Sequence, residues 1–331
     1  MSANLGKPVV VVTRRLPATI EAQMSARYDA RLNRTDVAMS AEQLTAAMHE
    51  ADIVVSTVTD QMRDTQFRDP VRARLIAQFG VGVNNIDLDA ARRAGVTVTN
   101  TPDVLTDDTA DIALALILVS MRRLGEGERH VRSGAWSGWR PTHMLGRSTR
   151  GKTLGIVGYG RIGRALARRA HAALGMRVLW YDSLDPQIDD VASAGPADAE
   201  RAPSIEALLR QSDVVSLHCP STPDTKRLMN AERLRMMQAG AFLINTARGD
   251  IVDEWALAAA LRDRVIAGAG LDVYEAEPSV VAELKDMENV VLLPHLGSAT
   301  IETRTAMGER VLANIAAFLA GEVPPDAVVR P

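Results

Sequence analysis

An α/β fold of two domains, each a doubly wound parallel sheet, is what the sequence predicts, and three observations predict it. The chain has 331 residues, and at roughly 150 residues per domain that length suggests two. Short apolar runs alternate with helix-periodic stretches, as in sheets whose strands are joined by helical crossovers. A glycine-rich turn, GYGRIG, lies between an apolar run and a helical stretch.

In the first hundred residues the strand candidates are Pro8–Thr13, Ile53–Thr57, Leu75–Phe79 and Val96–Val98. Ser40 before AEQLTAAMHE, with Gln43 three residues on, has the spacing of a capping box. TDDTADIALALILVSMRRL predicts one helix over Thr106–Leu124, with acids in its first turn and arginines in its last. Its wide apolar content calls for cover on both sides, from the core and from a second subunit or the core alone. After Lys152 six more strands are expected: Thr153–Val157, Arg177–Tyr181, Val214–Leu217, Ala241–Asn245, Ile266–Leu271 and Val290–Leu293. A last helix runs from about Ile301 to Leu319, with no strand after it.

Composition narrows the function classes. Hydrophobic residues make up 47% and charged residues 24%, which excludes disordered, collagenous and disulfide-scaffold chains. The net charge of −3 gives no footprint for nucleic acid or an anionic membrane. The longest apolar run, Ile112–Met121, is about half of a bilayer span. The amino terminus lacks a signal-peptide layout, and the single cysteine, Cys219, suits a reducing compartment. The expectation is a soluble cytoplasmic protein with no metal site. With 34 arginines and 4 lysines, an arginine carries meaning here only through its context.

The glycine turn carries the cofactor chemistry. Gly158 permits a tight turn, Gly160 lets a pyrophosphate approach the backbone, and Gly163 allows close helix–strand packing. Arg161 and Ile162 open the helix whose N-terminus would face the anion. Asp182, 19 residues after Gly163, ends the next strand, where an acid accepts bonds from ribose hydroxyls and repels a 2′-phosphate. Ser183-Leu184-Asp185 offers no cation to offset that repulsion, so the cofactor expected is NAD.

Ligands of open α/β sheets lie beyond the carboxyl ends of the strands. The strands after the turn end in His218-Cys219-Pro220, Thr246-Ala247-Arg248-Gly249, Asp272 and His295-Leu296-Gly297-Ser298. Arg248 suits a carboxylate or a polarised carbonyl. His295 is the preferred proton donor, and His218 its rival in a tighter turn that suits a cofactor wall. His49, His130 and His171 read as surface residues, and His143 is left open. Glu277 could hold an imidazole and raise its pKa, but Glu275 is a close competitor on sequence alone.

The segments GVGVNNIDLDAARRAGVTVTNTP, GKTLGIVGYGRIG, VVSLHCPSTPDT, LINTARGDIVDEWAL, AGAGLDVYEAEP and LLPHLGSAT resemble the D-isomer-specific 2-hydroxyacid dehydrogenases over nearly the whole chain. Within them, VTRRLP, LTDDTADIALALIL and RSGAWSGWRP are most similar to the glyoxylate/hydroxypyruvate reductases. The resemblance implies a catalytic Arg248, Glu277 and His295, and so selects Glu277 over Glu275. It implies a split, flavodoxin-like substrate domain from residues 1–100 and 295–331, a Rossmann NAD-binding domain from 101–294, and an active site between them. Backbone N–H groups at Val81 and Gly82, a small anion nest, and Arg248 would take the substrate carboxylate. Thr246, Ala247, Arg248 and Asp272 would lie near the nicotinamide, with Asp272 on its carboxamide, and Gly297 would also bind the cofactor. A homodimer is implied, with Trp139 or Trp136 at the neighbouring subunit's pocket. Val83-Asn84 departs from the family pattern. The alternatives within the family are D-lactate, phosphoglycerate, phosphite or formate dehydrogenases, and outside enzymes an NAD-sensing corepressor-like scaffold.

Overall fold

The computed structural model describes residues 6–184 and 195–330. Asp185 lies outside them. The chain forms two compact units, Met1–Leu105 with Ala299–Pro331, and Thr106–Ser298. Elements are numbered in chain order.

The first unit carries strands β1 (Val9–Val12), β2 (Asp29–Leu32), β3 (Ile53–Thr57), β4 (Leu75–Phe79) and β5 (Thr97–Thr99), with helices α1 (Ala18–Arg27), α2 (Ala41–Glu50) and α3 (Leu88–Arg93). Helix α11 (Ile301–Leu319) and strand β13 (Ala327–Val329) complete it from the far end of the chain. The sheet order is β13-β5-β4-β3-β1-β2, parallel throughout except β13. The order 2-1-3-4-5 within it is the flavodoxin-like winding. Apolar clusters cover both faces, one built on α2 and α3 and the other on α1 and α11. The capping box at Ser40 forms as its spacing predicts.

Two strands here escape the sequence reading. β2, DARL, is an edge strand with no buried residue, so it has no apolar run to display. β13 follows Pro324-Pro325 and is three residues long. It is pinned by Asp326, whose carboxylate accepts from Asn314 at 2.9 Å and Arg310 at 2.8 Å. The expectation of no strand after the last helix is therefore corrected.

The second unit carries β6 (Thr153–Val157), β7 (Arg177–Tyr181), β8 (Glu200–Arg201), β9 (Val214–Leu217), β10 (Phe242–Asn245), β11 (Gly268–Leu271) and β12 (Val290–Leu292). Its helices are α4 (Thr106–Met121), α5 (Leu124–Arg132), α6 (Arg161–Leu174), α7 (Ile205–Gln211), α8 (Ala231–Met236), α9 (Glu254–Arg262) and α10 (Ala282–Lys285). All strands are parallel, in the order β12-β11-β10-β9-β6-β7-β8. Strand order reverses between β6 and β9, the switch point where a Rossmann sheet opens its ligand crevice. Both faces of this sheet are covered as well.

The helix expected over Thr106–Leu124 stops at Met121. The chain returns at Arg147, whose N–H donates to the Met121 carbonyl at 2.8 Å. Arg123 turns left-handed (φ 56°), and α5 starts afresh at Leu124. The junctions between units fall at Leu105/Thr106 and Ser298/Ala299, so His295–Ser298 group with the second unit rather than the first. The cause is the buried Asp272, which binds the backbone of that segment as described below.

Candidate active site

The glycine turn follows β6. Gly158 has φ +94°, and a Cβ there would lie 2.5 Å from the Cys219 nitrogen. At Gly163 a Cβ would collide with the Gly158 carbonyl. Gly160, by contrast, faces open space and is the N-cap of α6, with no side chain capping the helix. Gly158 thus closes the turn against the chain that follows β9, Gly163 lets the helix close on the turn itself, and Gly160 leaves an open, donor-rich helix end, the form a pyrophosphate requires. Arg161 is exposed beside it, while Ile162 packs into the core.

Asp182 sits at the end of β7. One carboxylate oxygen accepts the Tyr159 N–H at 2.8 Å and the other the Leu184 N–H at 3.1 Å. Each oxygen keeps a lone pair for a diol. Pairing of β7 with β8 also brings Arg201 to this point, where it donates to the Asp182 carbonyl at 3.4 Å. Sequence reasoning found no cation here because Arg201 is distant along the chain.

The His218 ring turns inward, its Nε2 2.8 Å from the Ser216 hydroxyl. Burial pushes its pKa down to about 4. It is neutral at pH 7, which removes it as the rival proton donor. Burial also pushes the Cys219 thiol up to about 11, so it is not a nucleophile. The backbone at 218–219, against Gly158, forms the wall, and Pro220 is exposed beside it. Thr246 is buried with its hydroxyl unpartnered, as is Nδ1 of His218. Enclosed polar atoms without partners at two strand ends, beside an open glycine turn, fit a polar dinucleotide.

Beyond β10, Asn245 staples the next turn: its amide accepts the Ala247 N–H at 3.0 Å and donates to the Arg248 carbonyl at 2.8 Å. Ala247 is half-buried. A Cβ at Gly249 would collide with the Tyr274 carbonyl, so only glycine lets this turn lie against the 274–277 segment. Burial pushes the Arg248 guanidinium below its ordinary value, while the Glu277 and Asp250 charges push it back up.

Glu277 and His295 meet: the carboxylate is 2.9 Å from Nδ1. Its other oxygen accepts the Tyr274 N–H at 3.1 Å. Burial raises the Glu277 carboxyl, but the His295 bond and charge, the Tyr274 N–H and the Arg248 charge outweigh it and hold the group below the usual range. Nδ1 therefore carries a proton toward a carboxylate, and Nε2 makes no hydrogen bond among the described residues. Glu275 pairs instead with Arg227 at 3.0 Å. The geometry separates two glutamates that sequence alone leaves open.

Asp272 holds the histidine segment. It is fully enclosed, and its oxygens accept the Leu296 N–H at 2.6 Å and the Gly297 N–H at 2.8 Å. Its carbonyl accepts the His295 N–H at 2.9 Å, with His295 at φ 55°. This anchoring use is one the sequence reading did not contain. Thr109 adds a bond to the Gly297 carbonyl at 2.9 Å.

In the first unit, the N–H groups of Val81 and Gly82 donate to nothing among the described residues. Gly82 has no positive φ, so these are two free donors rather than an alternating nest. A buried network missed by sequence reasoning supports this loop: Gln78 donates to the Gly82 carbonyl at 3.2 Å and to Asn85 at 2.9 Å, and Asn85 donates to the Asp60 carbonyl at 2.8 Å. Trp136 and Trp139 stand 53% and 82% exposed, Trp139 the more so. His130, expected at the surface, is half-buried with its ring 5.1 Å from that of His143.

Among the described residues no helix is long and apolar enough to cross a membrane. Residues 114–297 match the family model described as D-isomer specific 2-hydroxyacid dehydrogenase, NAD binding domain. The chain is 43% identical over 327 residues to a glyoxylate reductase of Thermococcus litoralis, covering 97% of each. A solved structure from Thermus thermophilus superposes with a TM-score of 0.87 at 41% identity, covering 97% of this chain and 100% of that one. An NADPH-dependent glyoxylate/hydroxypyruvate reductase of Sinorhizobium meliloti, in complex with NADP and malonate, gives 0.85 at 31% identity, covering 98% and 99%. Two parallel α/β sheets, a dinucleotide turn and this likeness along the whole chain lead to one conclusion: the protein is an oxidoreductase of the D-isomer-specific 2-hydroxyacid dehydrogenase family.

Proposed function

We propose that the protein reduces a small 2-keto acid, glyoxylate or hydroxypyruvate, to the D-2-hydroxy acid with NADH. The observation that carries this reading is the His295–Glu277 pair with Nε2 open, in the unit that also presents Arg248 at a strand end. The glyoxylate reductases among its relatives support the substrate class. Asp182 supports NAD over NADP, and residues 114–297 carry the matching NAD-binding domain.

When bound, NADH would supply the hydride that C2 of the keto acid takes up. Protonated His295 delivers the proton to the carbonyl oxygen from Nε2, while Glu277 holds Nδ1 and stabilises the imidazolium. Arg248 stabilises the alkoxide as charge develops on that oxygen and orients the carboxylate. Desolvation of its guanidinium strengthens both contacts. The free N–H groups of Val81 and Gly82 bind the carboxylate. Gly158, Gly160, Arg161, Ile162 and Gly163 would hold the pyrophosphate, Asp182 the ribose, and the 218–220 wall, Thr246, Ala247 and Gly297 the rest of the dinucleotide; Asp272, enclosed and bonded through both oxygens to the Leu296 and Gly297 N–H groups, positions that segment instead of binding the carboxamide. The first unit is the substrate domain in this reading, and the second the cofactor domain.

A cytoplasmic homodimer belongs to the same proposal. The segment from α5 to Leu145 exposes Leu124, Val131, Trp136, Trp139 and Leu145, and α5 buries nothing. Such an apolar arm suits a second copy, with Trp139 reaching that copy's substrate pocket.

Initial rates with NADH and NADPH against glyoxylate, hydroxypyruvate, pyruvate and phosphohydroxypyruvate test the reading. Fast NADH oxidation with the first two is expected, and Arg248→Ala should lower kcat/KM roughly 100-fold or more. No turnover with any of the four refutes the substrate assignment, and an unchanged rate in the variant refutes the role of Arg248.

A further inference from the structure

We propose that Arg304 is a second carboxylate-binding arginine of the enzyme: its guanidinium, set over Phe79 at the carboxyl end of β4, anchors the substrate carboxylate alongside the Val81–Gly82 backbone. The inference rests on the functional reading above and deepens it.

Arg304 lies in the first turn of α11, with its guanidinium 5.9 Å from the centre of the Phe79 ring. Phe79 is the last residue of β4, and Val81 follows two positions later. Ligands of a doubly wound sheet collect at this end of the strands. The arginine is half-buried, and burial alone pushes its pKa below the ordinary value. Among the described residues its guanidinium makes no hydrogen bond and no ion pair. Arg310, on the same helix, shows the usual arrangement, bonded to Asp326 at 2.8 Å.

Two physical costs and one weak compensation therefore meet in one side chain. A partly desolvated charge lacks a counter-ion. A cation in a helix's first turn opposes the positive end of the dipole. The Phe79 ring returns only a modest cation–π attraction. A bound anion reverses the first two. The free Val81 and Gly82 N–H groups, at the same strand end, add donors and no acceptor. Backbone donors with a guanidinium fork match a planar carboxylate. Sequence reasoning missed Arg304 because it sits inside a helical pattern among many arginines.

The test compares wild type with Arg304→Gln and Arg304→Lys at saturating NADH, and measures oxalate binding to the NADH-loaded protein by calorimetry. For Arg304→Gln, the glyoxylate KM and the oxalate Kd should both rise about 10- to 100-fold. The change in kcat should stay within about threefold and the KM for NADH should hold, as expected for lost ground-state binding. Arg304→Lys should recover part of the loss through its charge. An unchanged KM and oxalate Kd in Arg304→Gln overturn the proposal and leave the enzyme assignment intact. A wild type inactive on every keto acid overturns the functional reading instead, and oxalate binding still tests Arg304. Equal loss of oxalate affinity and melting temperature in both variants would make Arg304 a structural residue and also overturn it.

Discussion

Replacing Asp272 by asparagine tests the anchor of the histidine segment. The change preserves size but exchanges one acceptor oxygen for an NH2 group. Asp272 is fully enclosed and accepts the Leu296 N–H at 2.6 Å and the Gly297 N–H at 2.8 Å. An amide has one oxygen, so one of those N–H groups must face another donor. Losing a hydrogen bond to a charged group costs about 1.5–3 kcal/mol, and stranding a buried donor about 1–3 kcal/mol. One effect opposes this. Burial pushes the Asp272 carboxyl up, so a neutral side chain relieves some charge desolvation, although the two N–H groups and the His295 charge already offset part of it. Lost and stranded bonds win, by about 2 kcal/mol, which is a fall of roughly 4–8 °C in Tm for a unit of this size. Calorimetry should read that fall, hydrogen exchange should show faster exchange over 295–298, and kcat/KM should drop about 10-fold or more as His295 loses its position. An Asp272→Asn variant with wild-type Tm and unchanged exchange there would refute the reasoning.

The glycine turn separates folding from binding. Gly158→Ala meets positive φ and the Cys219 backbone, and should lose roughly 2–4 kcal/mol in urea unfolding. Gly160→Ala faces open space at φ −74°, and should melt like wild type while binding NADH about 10-fold or more weakly by fluorescence titration; normal NADH affinity would remove the pyrophosphate from this turn. Acid sensitivity should report His218, whose pKa of about 4 in the folded protein compares with about 6.5 unfolded. The unfolded state binds more protons in that window, so stability falls as pH drops from 6.5 toward 4, by up to about 3 kcal/mol. His218→Asn should flatten that slope in urea melts, and parallel curves would contradict the buried neutral ring. Glu277, held low by His295, adds its own loss only below the ordinary glutamate value of 4.5.

Local patterns reached far into this protein. The two parallel sheets, the glycine turn and the polar residues at successive strand ends were legible because apolar strands and special turns are written in adjacent residues. Gly158, Gly160 and Gly163 could be given separate tasks from spacing, and the structure gives each a different neighbourhood. Elements without a local signature stayed hidden: β2 buries nothing, and β13 is three residues held by distant Arg310 and Asn314. The break after Met121 depends on Arg147 returning to cap that helix, an event no window around Met121 records. The tertiary structure set Glu277 on His295 and Glu275 on Arg227, a choice that sequence motifs made only through a family resemblance; it alone turned His218 inward, fastened the histidine segment to Asp272, and brought Arg201 to Asp182 and Arg304 to Phe79. A sequence states which groups are available and which turns are possible. Which charge faces which donor, and which charge is left without a partner, follows from burial and from contacts between residues far apart in the chain.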